Sequence, residues 1–269
     1  MTQTDIHSYV DPDSPHLFWM ELDRPDARNA WSDKMLAGFV AALDQAAADE
    51  RVRCVILTGR GPSFSAGGDL KAMRDRAGMF AGGPVELRTR YSQGIQSIPR
   101  RLARFDKPVV AAVNGAAIGA GLDLACMCDI RVASADAKFG STFVKVGLVP
   151  GDGGAYLLTR TIGFPRALDL ILTGRVIDSD EALRIGLVHT VVPADQVRDA
   201  ARKAAERIAR NAPLAVQLAK SACYRSYDLS LEPSLELAAS YQGIVQNSDD
   251  HLEGVAAILE RRRPSFDGH

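Results

Sequence analysis

The chain has 269 residues, 46% hydrophobic and 24% charged, which suffices for one large domain or a domain with an appendage and excludes disorder as the dominant state. Lys and Arg number 32 against 33 Asp and Glu, so the net charge is −1 and no basic face for a phosphate backbone is expected; nucleic acid is not an expected partner. The longest nearly uncharged stretch, 108–122, is shorter than the ~20 residues of a membrane span and carries Asn114 and three glycines, so it reads as a buried element and no membrane association is expected.

The first fifteen residues, MTQTDIHSYVDPDSP, contain neither a positive n-region nor an apolar h-region, and a cytoplasmic protein is expected. Residues 16–22 and 52–58 read as strands, with a helix between them that Ser32 caps and that Met35, Leu36, Phe39, Val40 and Leu43 mark at helical spacing. A polar, glycine-containing excursion follows over 71–84, then one long helix over about 85–104. A third strand at 108–113 opens into another Gly-rich turn, and strands follow at 129–133 and 138–140. This alternation of strand, Gly-rich turn and helix argues for an α/β fold. Beyond Pro150 the pattern is mainly helical: 153–162, 165–173 and 179–185, a strand at 187–192, then helices over 194–210, 213–226, 231–246 and 249–262. Cys54, Cys126, Cys128 and Cys223 have apolar neighbours and no metal-binding spacing, so they read as core thiols.

Several common signatures are missing. There is no GxxxxGK[ST], GxSxG or HExxH, and His7, His16, His189, His251 and His269 are scattered. Gly115, Gly119 and Gly121 resemble the cofactor loop of short-chain dehydrogenases, but they follow the third strand rather than the first, and no tyrosine has a lysine four residues on. Two Gly/Ala-rich turns remain, 64–70 (FSAGGDL) and 114–124 (NGAAIGAGLDL), each after a strand and before a helix. Small residues let a ligand approach the main chain, and helix N-termini present unpaired N–H groups. Two such turns facing one point would hold a developing oxyanion. The alternative, that the glycines merely permit tight turns, stays open at this stage.

Together, FSAGGDL, KPVVAAVNGAAIGAGLDLACMCDIRVAS, KFGSTFVKVGLVPGDGG and EGVAAILERRRPSF resemble the crotonase, or enoyl-CoA hydratase/isomerase, superfamily, and the resemblance runs from about Leu17 to the C-terminus. It implies an α/β, crotonase-like spiral of ββα units over 1–195 and a helical oligomerisation region over 196–269, assembled as a homotrimer or dimer of trimers. It also implies an acyl-CoA thioester as substrate, with no metal and no cofactor beyond the coenzyme A of the substrate itself. The oxyanion donors it implies are the backbone N–H groups of Ala66 and Ala120. Coenzyme A would lie against Ala27 and Arg28 and near Gly68, with Arg261 in the position of a basic residue that approaches the CoA phosphates; Met73 and Phe143 would line the acyl pocket.

Hydratases of this family use two glutamates. The first position carries Asp123, one methylene shorter, and the second carries Phe143, which moves no proton. Asp152, within PGDGG, is the replacement candidate as acid or base, with capping of the helix near Gly153 as the alternative. Asp69 reads as a helix cap. The expected reaction is hydration of a 2-enoyl-CoA, placed narrowly ahead of 3-to-2 double-bond isomerisation; a non-catalytic acyl-CoA binder is the second class, which Phe143 favours.

Overall fold

Leu17–Leu22 and Cys54–Gly59 are buried at every position, the pattern of strands covered on both faces rather than one. The computed structural model, which describes residues 4–269, places them in the middle of a sheet. In chain order the elements are β1 (Ile6–Val10), β2 (Leu17–Leu22), α1 (Asp33–Ala48), β3 (Cys54–Gly59), β4 (Ser63–Ser65), α2 (Leu70–Arg74), α3 (Pro84–Gln93), α4 (Ser97–Leu102), β5 (Val109–Val113), β6 (Ala116–Ile118), α5 (Ala120–Met127), β7 (Ile130–Ser134), β8 (Lys138–Gly140) and α6 (Gly154–Ile162). There follow α7 (Phe164–Thr173), β9 (Val176–Asp178), α8 (Ser179–Arg184), β10 (Thr190–Val192), α9 (Val197–Ala209), α10 (Pro213–Ser226), α11 (Leu231–Gln246) and α12 (Asp249–Leu259). Short 3₁₀ turns lie at Gly78–Phe80 and Thr142–Val146.

The strands form two sheets. The larger has the order β1-β2-β3-β5-β7-β10, parallel except for β1. The smaller has the order β4-β6-β8-β9, with β9 antiparallel. Each repeat sends its first strand into the large sheet and its second into the small one (β3 then β4, β5 then β6, β7 then β8), which is the ββα spiral. One apolar core fills the space between the large sheet and α1, α4 and α5. The opposite face is closed by α9, whose Val197, Ala201, Ala204, Ala205 and Ala209 pack on Leu17, Trp19, Ile56, Val110 and Val132. A helix that the sequence reading assigned to the C-terminal region therefore completes the core layer, and the appendage begins with α10.

Other departures have local causes. The expected single helix over 85–104 is broken at Gly94, which ends α3 by donating to the Arg90 carbonyl at 2.7 Å; α4 restarts at Ser97. The strand β1 pairs with β2 although its sequence, IHSYV, shows little apolar alternation. Cys223 is exposed rather than in the core, unlike Cys54, Cys126 and Cys128, and all four are free thiols. Among the described residues no helix is long and apolar enough to cross a membrane.

The turn ahead of α1 is fixed by Asn29, fully buried and held at φ 55°. Asn tolerates this left-handed region better than most residues. Its Oδ1 accepts from the Arg24 N–H, and its Nδ2 donates to the carbonyls of Arg60 and Ser63. Replacement Asn29→Ala leaves those buried groups unpaired. It is expected to cost about 2–3 kcal/mol of stability, measured by urea denaturation; a cost near zero would mean the turn holds itself.

Candidate active site

Three glycines decide where the two Gly-rich turns meet. A Cβ on Gly67, which sits at φ 82°, would come 2.5 Å from the Ile118 carbonyl oxygen and 3.0 Å from the Ala120 nitrogen. A Cβ on Gly121 would come 2.2 Å from the Ser65 carbonyl oxygen. The turn after β4 is thus pressed against the turn after β6 at a distance no side chain permits. Gly119, at φ 55°, donates to the Gly140 carbonyl and starts α5 so that Ala120 is its first residue. First-turn amides have no partner inside their helix, and that of Ala120 finds no protein acceptor among the described residues.

The implied partner of Ala120 needs correction. The Ala66 N–H donates to the Arg28 carbonyl at 2.9 Å, so it is already committed. Gly67 N–H is also taken, by the Ser65 hydroxyl. Gly68, placed by resemblance among the CoA contacts, is the residue of this turn whose N–H has no acceptor among the described residues, and it lines a cavity together with Ala120. The free pair of amides is therefore Gly68 and Ala120.

That cavity has about 30 Å³ of free space and is walled by Trp31, Met73, Met79, Phe80, Tyr91, Ile95, Phe143, Leu148 and Asp152, with Arg90 at its edge. Met73 and Phe143, the acyl-pocket residues of the sequence reading, both stand on the wall. Asp152 is the carboxyl on the wall; Asp123 stands behind it. Both are buried, at 1% exposure for Asp123 and 2% for Asp152. Asp123 lies in the first half of α5 with its carboxyl against Gly154, where an added Cβ would fall 2.2 Å from Oδ1. Neither oxygen of Asp123 has a well-formed bond to an N–H or O–H group among the described residues, and Oδ1 of Asp152 has none either. What each carboxyl faces is the other.

Two like charges in such a place do not coexist. Burial, then the Asp152 charge, then the hydrogen bond to Asp152 push Asp123 well above the usual carboxylate range. Asp152 is also raised by burial, but the hydrogen bond from Asp123 opposes this. Burial and the neighbouring carboxyl therefore favour the neutral form, of Asp123 more than of Asp152. Capping does not explain Asp152, because α6 has no side-chain cap and begins after Gly153 at φ 104°. Asp69, by contrast, does cap, accepting from the N–H groups of Lys71 and Ala72 while paired with Arg24 at 2.9 Å.

Tyr91 was not singled out from the sequence, because 85–104 reads as one uninterrupted helix. It lines the cavity, and its phenol is raised by burial and by the nearby carboxyls of Asp152 and Asp123. A Cβ on Gly151 would come 2.7 Å from the Tyr91 ring, and Gln96 Nε2 donates to the Gly151 carbonyl at 2.7 Å. The break at Gly94 thus lets α3 and the start of α4 clamp the loop that carries Asp152.

The expected coenzyme contacts divide. Ala27 and Arg28 lie on the turn whose Arg28 carbonyl binds Ala66, next to the free Gly68 amide. Arg261 does not join them within the chain. It follows α12, and the tail beyond it docks where Arg53 donates to the carbonyls of Ala209 and Phe266. Arg53 precedes β3, whereas the cavity forms beyond its other end, a strand length of about 20 Å away.

Residues 14–269 match the enoyl-CoA hydratase/isomerase family. The chain belongs to that family. It is 35% identical to the 2,3-dehydroadipyl-CoA hydratase of Escherichia coli (strain K12) over 249 residues, 93% of this chain and 94% of that protein. It is 36% identical to the 1,2-epoxyphenylacetyl-CoA isomerase of the same organism over 249 residues, again 93% and 94%. An enoyl-CoA hydratase from Bacillus anthracis has the same fold, with a TM-score of 0.92 at 35% identity over 99% of this chain and 100% of that one.

The carboxyl pair makes a stability prediction. Both pKa values are raised on folding, so the stabilising contribution is complete below the usual carboxylate range and is lost as pH rises through the raised values. The wild-type melting temperature is expected to fall as pH rises above the usual carboxylate range. Asp123→Asn should flatten that fall, by about 2–4 °C for each kcal/mol relieved; identical curves for both proteins in a thermal-melt series would reject the coupling of the two carboxyls.

Proposed function

We propose that the chain is an enoyl-CoA hydratase-type enzyme in which Gly68 and Ala120 N–H groups hold the thioester oxygen and Asp152 transfers the protons. The observation that carries this is the buried carboxyl of Asp152 on a cavity wall that also presents two unengaged amides. Asp152 takes a proton from water as the oxygen adds to Cβ of a 2-enoyl-CoA, and the electron pair moves to the thioester oxygen as an enolate. The same carboxyl then returns the proton to Cα, which restores the carbonyl and the carboxylate with one water added. Each preorganised amide is worth about 3–4 kcal/mol to such an oxyanion. Asp123 keeps its proton throughout and so keeps Asp152 charged.

Isomerisation of a 3-enoyl-CoA is the second reading, supported by one feature: Asp152 stands on the cavity wall while Asp123 stands behind it. One carboxylate suffices to lift a proton from Cα and return it to Cγ. The non-catalytic reading has less support, because Phe143 does not leave the cavity without a proton carrier.

The appended helices support assembly as a homotrimer or a dimer of trimers. Leu231, Leu235 and Ile244 on α11 and Leu252 and Ile258 on α12 are exposed in the single chain. Another subunit would cover them and bring an Arg261 to the coenzyme phosphates. The four free thiols fit a reducing, cytoplasmic setting.

Supplying 2-enoyl-CoA and 3-enoyl-CoA separates the reactions: loss of conjugated-thioester absorbance marks hydration, gain marks isomerisation, and binding without either rejects catalysis. Asp152→Asn is expected to lower kcat by about 10²–10⁴-fold. Asp123→Asn should retain turnover with a displaced acid limb of the pH profile, and the reverse ranking would return the proton-transfer role to Asp123. Light scattering should give three or six times 28.9 kDa, with Leu231→Asp lowering it; a monomer would overturn the assembly.

A further inference from the structure

A water held by Asp152 alone turns about a single hydrogen bond, whereas addition to C3 of an enoyl thioester needs its lone pair aimed in one direction. A second contact is required. Phe143 cannot make it, and its ring lies by the oxyanion turn, with Cζ 3.8 Å from where a Cβ on Gly119 would stand. Two neutral polar groups on the cavity wall remain unengaged. The Trp31 indole N–H is buried with no partner among the described residues, but the Trp31 main chain is bonded to the Gly67 carbonyl and bridges to Gly68, which places it at the thioester end. The Tyr91 hydroxyl also makes no hydrogen bond among the described residues, and it stands at the carboxyl end.

The placement of that hydroxyl is fixed by a closed set of contacts. A Cβ on Gly151 would fall 2.7 Å from Tyr91 Cε1 and 3.4 Å from Cζ, the atom that bears the hydroxyl, and Asp152 is the next residue. Gln96 ties the two sides together: its main-chain N–H donates to the Tyr91 carbonyl at 3.1 Å, and its Nε2 donates to the Gly151 carbonyl at 2.7 Å. A phenylalanine would wedge Gly151 equally well. The hydroxyl is therefore surplus to the clamp, and leaving it unpaired on a largely apolar wall is unfavourable unless a ligand meets it.

Resting on the hydratase reading, we propose that Tyr91 is a second catalytic residue, whose hydroxyl holds the oxygen that is added at C3 of the acyl chain. The water donates to Asp152 and accepts from Tyr91. As Asp152 removes a proton and the O–C3 bond forms, charge grows on that oxygen and the Tyr91 O–H donates to it more strongly. The phenol keeps its own proton, since burial and the nearby carboxyls raise it, and Asp152 returns the proton it took to Cα. After addition the same O–H donates to the 3-hydroxyl of the product. Isomerisation adds no oxygen and makes no use of Tyr91.

Tyr91→Phe keeps the ring against Gly151 and removes only the hydroxyl. Its kcat for hydration of 2-butenoyl-CoA is expected to fall about 10–100-fold with KM little changed, the range of one hydrogen bond to a charged group. Exchange of the Cα hydrogens of butanoyl-CoA with heavy water uses Asp152 and the two amides but no oxygen at C3, and should be unchanged. Equal loss of hydration and exchange, or hydration that survives the substitution, overturns the role of Tyr91 and leaves the hydratase reading standing. Calorimetry reads the contact without turnover: Tyr91→Phe should bind 3-hydroxybutanoyl-CoA about three- to tenfold more weakly and butanoyl-CoA as before. Equal changes in both affinities overturn the contact. A wild-type protein that hydrates no thioester, but whose Tyr91→Phe variant shows this selective loss, overturns the hydratase reading and keeps Tyr91 as the contact for a C3 oxygen.

Discussion

The site depends on a contact between two main chains. Gly67 and Gly121 each occupy a place where a Cβ would strike the backbone of the other turn. Because nothing stands between them, amides from turns fifty residues apart in sequence share one wall. The ββα repeat makes this possible: β4 and β6 lie side by side in the small sheet, so the turns that follow them emerge at the same edge. The same repetition brings the loop after β8, and with it Asp152, to that edge. Fold and site are one constraint expressed at two scales.

The carboxyl pair shows what this arrangement costs. A buried carboxyl with no N–H or O–H partner is unfavourable, and two in contact more so, unless one keeps its proton. Raised pKa values against a cavity are a property of functional sites, and they lower stability near neutrality. Gly154 lets Asp123 sit so deep, and the Tyr91 and Gln96 contacts hold Gly151 so that Asp152 stays opposite it.

Most of the architecture was legible because it is periodic. Strands buried on both faces, helices such as α1 with its Ser32 cap, and the Gly-rich turns all carry local signals, and Ser32 does accept from the Met35 N–H. What was hidden depends on partners distant in sequence. The three-residue strands of the small sheet are too short for periodicity, and β1 is a strand because β2 offers it an edge. The position of α9 followed from an alanine stripe that fits equally a sheet or another helix. In the site, the two turns and Asp152 could be found by composition and resemblance, but not which amide of SAGGD is free. That depends on the carbonyl of Arg28, whose left-handed turn Asn29 fixes. Nor does spacing reveal that Asp123 faces Asp152 rather than the cavity.

On the proposed function, the carboxyl pair and the two amides act on the same quantity, the amount of water beside Asp152. Electrostatic stabilisation by two amides strengthens as water leaves, and the wall around them is apolar at Trp31, Met73, Phe80, Ile95 and Phe143. Hydration nevertheless consumes a water, and the cavity has space for about two, so the same apolar wall that favours the enolate would leave Asp152 a small, bounded supply of solvent.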